Sequence, residues 1–258
     1  MPLISVILSA YNAEDTILDS VESILQQTEK NFELILINDG STDDTQSLIE
    51  SIHDPRIQII NNSNLGLTKS LNIGIREASG IYIARQDADD ISLPKRFEMQ
   101  LEAFNSNPKL SLLGTRGLIH EDLTITESPI YQGEISKELL FSNILIHSSV
   151  MFKRLYFQEI GLYDDSFKVS QDYDAWLRMT DIPNTEIKIL NNILIHRHIN
   201  KDVISKKNVF AQAKNSFRAR YGRLNFFLNF FLSFRQYLLN ILSPRTLNFL
   251  KSITRKNA

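Results

Sequence analysis

Short apolar runs alternate with helix-patterned segments through the first part of the chain, and several of the runs end in polar clusters. Strands are expected at 3–9, 32–38, 56–60 and 80–86, and helices at 13–27, 43–53 and 68–78. This alternation is the βαβ pattern of a largely parallel sheet with helices on both faces. In such a sheet ligands sit beyond the carboxyl ends of the strands, where strand order reverses. Three strand ends carry polar side chains in quantity: Ser9-Ala10-Tyr11-Asn12-Ala13-Glu14, Asn38-Asp39-Gly40-Ser41-Thr42-Asp43 and Arg85-Gln86-Asp87-Ala88-Asp89-Asp90. Parallel strands bring all three to one edge.

The third cluster has the most definite chemistry. Asp87 and Asp89, at alternate positions, are hard oxygen ligands suited to a Mg²⁺ or Mn²⁺ that keeps positions open for phosphate oxygens. No G-x-G-x-x-G and no G-x-x-x-x-G-K-[ST] occurs, and there is no His-Glu-x-x-His. A nucleotide enzyme of this sequence must therefore hold its diphosphate through a metal and side chains rather than a glycine-rich cradle. After Pro94 a helix is expected to about Asn105. Strands follow at 110–130, a short helix at 135–142, a strand at 147–153, a helix at 172–180 and a strand at 186–198.

A chain of 258 residues is long enough for one large α/β domain with an appendage. The absence of cysteine excludes disulfides, thiolate zinc sites and cysteine nucleophiles, and fits a reducing compartment. The apolar start has no basic residue before Lys30, so it reads as a buried strand rather than a signal peptide, and a cytoplasmic protein is expected. The formal net charge of −2 conceals a division. Residues 201–258 hold 12 basic residues and a single acidic one, Asp202, whereas the segment before them is strongly acidic. The expected organisation is a domain at 1–200, with halves at about 1–106 and 107–200, and a basic helical tail at 201–258.

Several of these residues also have plain structural readings. Ser41 and Asp44 have capping-box spacing, Thr68 could cap a helix, and Asp172 could stabilise a helix N-terminus. On the functional reading, Asp39 accepts from a nucleobase or ribose and Lys69 lies near phosphates. Asp174 is the alternative to Asp172 as a proton acceptor.

Taken together, Ser-x-Tyr-Asn-x-Glu at 9–14, Asn-Asp-Gly-Ser-x-Asp at 38–43, Asn-x-Gly-x-x-x-Ser-x-Asn at 64–72 and Asp-Ala-Asp-Asp at 87–90 closely resemble the nucleotide-sugar half of glycosyltransferase family 2. Pro94-x-Arg96 with Gln100, His147-Ser148-Ser149-Val150-Met151-Phe152 and Gln171-Asp172-Tyr173-Asp174-Ala175-Trp176-Leu177-Arg178 continue the resemblance to about residue 200. It implies a GT-A fold, a mixed, mostly parallel sheet flanked by helices, and an inverting transfer from a UDP- or other NDP-sugar with a divalent metal. By resemblance Asp39 contacts the base or ribose, Asp87 the ribose or sugar, Asp89 the metal, and Asp172 is the catalytic base. The implied donor-binding set is completed by Ser9, Tyr11, Asn12, Glu14, Asn64, Gly66, Lys69, Arg85 and Arg197. His196-Arg197-His198 stands where the family often has Tyr-Arg-x-His, with spacing one residue short, so His198 is the metal-ligand candidate. Gln171 replaces the first residue of the family's frequent Glu-Asp pair.

In the tail, Val209, Ala213, Phe217 and Tyr221 share one helical face, with Lys206, Lys207, Lys214, Arg218 and Arg220 elsewhere. Asn225, Asn229, Ser233, Gln236 and Asn240 form a polar stripe on a Phe- and Leu-rich helix at 224–242, whose aromatics are expected on its buried face. A spanning helix would place Arg235 near mid-bilayer at a cost of roughly 2.5–3.5 kcal/mol. An interfacial anchor at 206–258 on anionic lipid avoids that cost; a helix pair packed on the domain or on a second subunit is the other reading. The expected function is transfer of glucose or galactose from a UDP-sugar to a lipid-linked saccharide in O-antigen- or capsule-type polysaccharide assembly. The alternatives are a sugar nucleotidyltransferase and a non-catalytic saccharide-binding scaffold.

Overall fold

The computed structural model describes residues 1–199 and 209–241. The chain divides into two compact units, Met1–Asn200 and Lys201–Ala258. In the first unit the strands are β1 (Ile4–Ala10), β2 (Phe32–Asn38), β3 (Ile57–Asn61), β4 (Tyr82–Asp87), β5 (Ile91–Ser92), β6 (Leu110–Glu121), β7 (Thr124–Glu127), β8 (Met151–Lys153) and β9 (Glu186–Ile199). Its helices are α1 (Ile17–Leu25), α2 (Thr45–Glu50), α3 (Leu67–Glu77), α4 (Arg96–Ser106), α5 (Ser136–Leu139), α6 (Arg154–Glu159) and α7 (Gln171–Thr180). The second unit holds α8 (Val209–Ala219) and α9 (Phe226–Ile241).

The strands form one mixed sheet in the order β3-β2-β1-β4-β8-β6-β9-β5, with β7 paired to β6. The β3, β2, β1 and β4 strands run parallel. β8 is antiparallel to both β4 and β6, while β6 and β9 are parallel with two bulges around Arg116. The chain winds outward from β1 to β3 and then returns to place β4 on the other side of β1, so strand order reverses between β1 and β4. Register puts Ser9 opposite Asp87 and Ala10 opposite Asn38 at that crevice.

The parallel strands are buried on both faces, which is why β1 and β2 read as nearly unbroken apolar runs rather than alternating ones. Ile17, Val21 and Ile24 of α1 pack one helical face on this sheet, joined by Phe97, Leu101 and Phe104 of α4. Gly40 adopts φ +74°, and a Cβ there would lie 2.6 Å from the Asn64 nitrogen; only glycine fits.

Three local expectations fail. The segment 147–153 is not one strand: His147–Ser149 is a 3₁₀ turn before β8, because the Ser149 Oγ and N both bond back to the Ile146 carbonyl. Ser41 and Asp44 make no capping box. Ser41 Oγ instead accepts the Asn12 N–H, and Asp43 receives the Thr45 N–H at the start of α2. Thr68 does not cap α3, whose N-cap is Gly66; its hydroxyl donates to the Phe167 carbonyl at 2.9 Å.

At the centre lies Arg96, fully buried. Its guanidinium donates to the carbonyls of Arg85 and Val150, to Gln86 and Gln100 Oε1, and to Ser92 Oγ. It thereby links β4, β5, α4 and the turn before β8. Burial draws this guanidinium down to about 9, against the opposing pull of Asp90. Arg96→Met keeps the apolar stem but strands several buried acceptors. It should lower unfolding free energy by roughly 3–5 kcal/mol, read from urea titration. A loss below about 1 kcal/mol would show that the fan is dispensable.

Candidate active site

Four loops meet at the carboxyl edge of β1, β2, β3 and β4, and hydrogen bonds set their positions. Asn12 Oδ1 accepts the Thr42 N–H at 2.8 Å, Glu14 accepts the Asp44 N–H at 2.9 Å, and Thr45 Oγ1 accepts the Ala13 N–H at 2.7 Å. These bonds stitch the loop after β1 to the loop after β2. The buried Asp39 carboxylate accepts the Leu65 and Gly66 N–H groups, both at 2.8 Å, and so fixes the loop after β3. Asn12, Asn64 and Ser170 all hold left-handed backbone conformations, φ 49°, 55° and 60°. Such conformations persist where surrounding contacts enforce them.

Each candidate residue can now be located. Ser9 is half-buried at the end of β1, and Tyr11 is exposed just beyond it. Asn12, Glu14 and Asp39 use acceptor capacity to brace the loops, although every carboxylate oxygen has a further lone pair. Asn64 and Gly66 sit in the exposed loop before α3, and Lys69 is exposed on the first turn of that helix. Arg85, nearly inaccessible, pairs with Asp87 at 2.5 Å and donates to the Ile7 carbonyl.

The acidic run is electrostatically loaded. Burial pushes the Asp87 carboxyl up, but Arg85, His147, Arg197 and Arg96 together hold it below the ordinary range. Burial and the Asp87 charge push Asp89 up to about 6. Asp90, buried beside both, is pushed up to about 8. Asp90 accepts from Ser148 Oγ with one oxygen and from the His198 N–H at 2.9 Å with the other. It therefore clamps the turn before β8 and the end of β9 onto the acidic loop.

That clamp places His198 beside Asp89. His198 Nδ1 lies 2.8 Å from the Asp89 carbonyl, so Nδ1 carries the proton and donates, which leaves Nε2 with its lone pair. Among the described residues no group of three or more His, Cys, Asp or Glu is arranged to hold a metal. A carboxylate raised by a neighbouring charge, next to an imidazole with Nε2 free of that bond, is still a donor pair that a divalent cation would relieve. The donor chemistry of these two side chains, a hard carboxylate oxygen and an imidazole nitrogen, suits such an ion.

Asp172 comes from the first turn of α7, and its carboxylate accepts from Asn143 Nδ2 at 2.8 Å. Its charge and that of Asp87 both act on His147, as do those of Arg85 and Arg197. The acidic loop and α7 thus both lie within electrostatic range of the buried His147 imidazole. His147 Nε2 meets the Tyr163 hydroxyl at 3.0 Å, and the His147 and Tyr163 rings both pack against Trp176. Asp174 is buried and paired with Arg178 Nη2 at 2.8 Å, an i,i+4 bridge within α7, which leaves Asp172 as the available carboxylate.

Asp90, Asn143, His147 and Tyr163 were not singled out for individual roles by sequence reasoning. Asp90 stood in the motif, yet nothing local marks it as a clamp rather than a ligand. Asn143 lies 29 positions from its partner, and no spacing connects them.

A family model described as glycosyl transferase family 2 matches residues 5–161. A Haemophilus influenzae protein described as an uncharacterized glycosyltransferase is 38% identical over 192 residues, 68% of this chain and 59% of that protein. Chondroitin synthase of Pasteurella multocida is 30% identical over 220 residues, 84% of this chain and 23% of the synthase. The chain therefore spans less than two thirds of the length of these curated relatives. Residues 1–349 of S. aureus TarS, solved with UDP-GlcNAc, superpose with a TM-score of 0.71 at 14% identity, covering 92% of this chain and 73% of that one. The fold is GT-A, as the resemblance to glycosyltransferase family 2 implied.

Burial lowers the His147 imidazole to about 4, with the nearby Arg85 charge adding to the shift. In the unfolded chain it protonates near 6.5. A depressed histidine stabilises the fold above pH 6.5, and that contribution is lost as pH falls from there toward 4. His147→Asn should remove this sensitivity. Between pH 7 and 4.5 the parent should lose on the order of 2 kcal/mol more unfolding free energy than the variant, measured by denaturant titration at both pH values. Equal losses would place the imidazole in contact with solvent.

Proposed function

We propose, because the chain belongs to glycosyl transferase family 2, that it transfers a hexose from a UDP-sugar to a lipid-linked saccharide with inversion at the anomeric carbon. Glucose or galactose is the proposed sugar and a diphospholipid-linked saccharide the acceptor, in bacterial surface-polysaccharide assembly at the cytoplasmic face of the membrane. The observation that supports this reading is the gathering of the polar ends of β1, β2 and β4 at the point where strand order reverses, with Asp172 held by Asn143 on the first turn of α7. On this reading a proton acceptor from α7 would face the acidic edge where a nucleotide diphosphate would lie.

In this reading Asp172 takes the proton of the acceptor hydroxyl as its oxygen attacks the anomeric carbon. The new bond to that oxygen forms on the face opposite the leaving group, giving a β-linkage. The bond to the diphosphate oxygen breaks, and its electron pair leaves with UDP. Asn143, bonded to Asp172 at 2.8 Å, keeps the carboxylate oriented for this transfer. Asp39 would hold the base or ribose, Asp87 the ribose or sugar, and Ser9, Tyr11, Asn64, Gly66 and Lys69 would line the nucleotide. Arg85 fixes Asp87, while Arg197 adds positive charge beside the departing diphosphate. Asp89 and His198 Nε2 would hold a Mn²⁺ or Mg²⁺, which when bound stabilises the negative charge on the leaving group. Alignment of the two substrates supplies the rest of the rate.

The test is UDP release from a panel of UDP-sugars with Mn²⁺ and lipid-diphosphate acceptors. Asp172→Asn should lower kcat by about 10²–10⁴-fold with little change in donor KM. Asp89→Asn should raise the Mn²⁺ concentration needed for half-maximal rate, and chelation should abolish transfer by the parent. Unchanged turnover in folded Asp172→Asn would remove this residue from the chemistry. Donor binding without any turnover in the parent would point to a saccharide-binding scaffold.

A further inference from the structure

The second unit is built inside out. Arg220, Asn229 and Ser233 are buried, at 1%, 1% and 7% exposure. Arg220 Nε donates to Asn229 Oδ1 at 2.9 Å, and its Nη2 donates to Ser233 Oγ at 2.6 Å. Asn229 Nδ2 completes the network by donating to the Phe217 carbonyl at 2.9 Å. The small side chains of Ala213, Ser216 and Ala219 are buried with them, so the interior between α8 and α9 is small and polar, with ring contacts of Phe217 with Phe226 and Phe210 with Tyr237 beside it.

Most of the ring surface of α9 is exposed. Phe226, Phe227, Phe230, Phe231 and Phe234 of α9 are all exposed, from 49% at Phe234 to 83% at Phe227. Phe226, Phe230 and Phe234 stack in a row, with centroids 6.4 and 6.2 Å apart. This reverses the expectation that the aromatics form the buried face, and the physical reason is Arg220. A buried guanidinium with several N–H donors takes the amide and hydroxyl of α9 as partners, and the stripe bearing those groups turns inward. Lys206, Lys207 and the part of the expected anchor at 242–258 lie outside the described residues.

We propose that α8–α9 inserts its phenylalanine face into the hydrocarbon edge of an anionic lipid bilayer, with Arg220, Asn229 and Ser233 holding the pair together from within. The inference rests on the membrane placement proposed above and gives it a mode; it is independent of the transfer chemistry. Helices in lipid gain nothing by burying apolar rings against each other, and they associate through small residues and internal hydrogen bonds. α8–α9 has that construction, in a segment with no helix long and apolar enough among the described residues to span a membrane. Charge selects lipid over a second copy of the chain. With 12 basic residues against one acidic across 201–258, a second tail would bring like charge to like charge, whereas lipid phosphates complement it. Lys214 and Arg235 are exposed and can extend their ammonium and guanidinium groups toward the headgroups.

Flotation of the full chain with phosphatidylcholine vesicles, with and without phosphatidylglycerol, tests this. Binding to the anionic vesicles should persist at about 1 M NaCl, where charges are screened beyond about 3 Å. The triple variant Phe227→Ser, Phe230→Ser and Phe231→Ser should bind on the order of tenfold more weakly for each ring removed, its helicity checked by circular dichroism. Binding that salt abolishes and the serines leave unchanged would overturn insertion while sparing a surface-charge anchor. Absence of binding to every vesicle would overturn both readings. A ring-dependent dimer in size-exclusion chromatography with light scattering, formed without lipid, would assign the face to a second copy instead. As an independent measurement, Phe230→Trp should be quenched by acyl-chain-brominated lipid; a bound protein that resists quenching lies on the surface only.

Discussion

A guanidinium without access to water needs a full set of acceptors, and in this protein satisfying Arg96 organises the edge that carries the acidic loop. Its donors reach a carbonyl of β4, side chains of β4, β5 and α4, and a carbonyl of the turn before β8. Gln86 extends the network: its amide nitrogen donates to the Asp90 carbonyl and to Ser20 Oγ. The acidic loop therefore leaves β4 in one direction only. Its backbone is held from beneath by polar groups that would be costly to leave unpaired in the interior.

On that base the three carboxylates divide their roles. Asp87 stays charged because Arg85 and its neighbours outweigh the effect of burial, while Asp90 is raised to about 8 and acts as a clamp between Ser148 and β9. Asp89, raised to about 6, is left beside the oriented His198 imidazole. Three neighbouring aspartates thus meet three different environments: one paired with Arg85, one beside the His198 imidazole and one clamping two segments. The separation comes from which cations and hydrogen bonds each side chain meets. The His120 ring packs against both His196 and His198, and burial with the neighbouring histidine charges lowers the His196 imidazole.

The legibility of the site in the sequence followed the range of the interactions involved. The strand ends at Ser9, Asn38 and Asp87 were readable because periodicity and turn chemistry act over a few residues, and parallel pairing then forces those ends together. The two candidates for a base, Asp172 and Asp174, were not separable by pattern. Packing separates them, since only Asp174 pairs with Arg178. The capping readings of Ser41 and Thr68 failed for a related reason: each hydroxyl had a tertiary partner, Asn12 or Phe167, in place of its own helix.

The sequence by itself determined the alternating elements, the polar strand ends, the acidic loop and the charge division near residue 200. Each is a property of composition or short spacing, fixed before the chain folds. Only the tertiary structure decided which aspartate clamps, which nitrogen of His198 is left for a ligand, and which face of α9 is buried. These depend on partners such as Asp90 with His198, 108 positions apart, and Arg220 with Ser233 across two helices. A buried polar group turns toward whatever partner the fold supplies, and no local pattern encodes that partner.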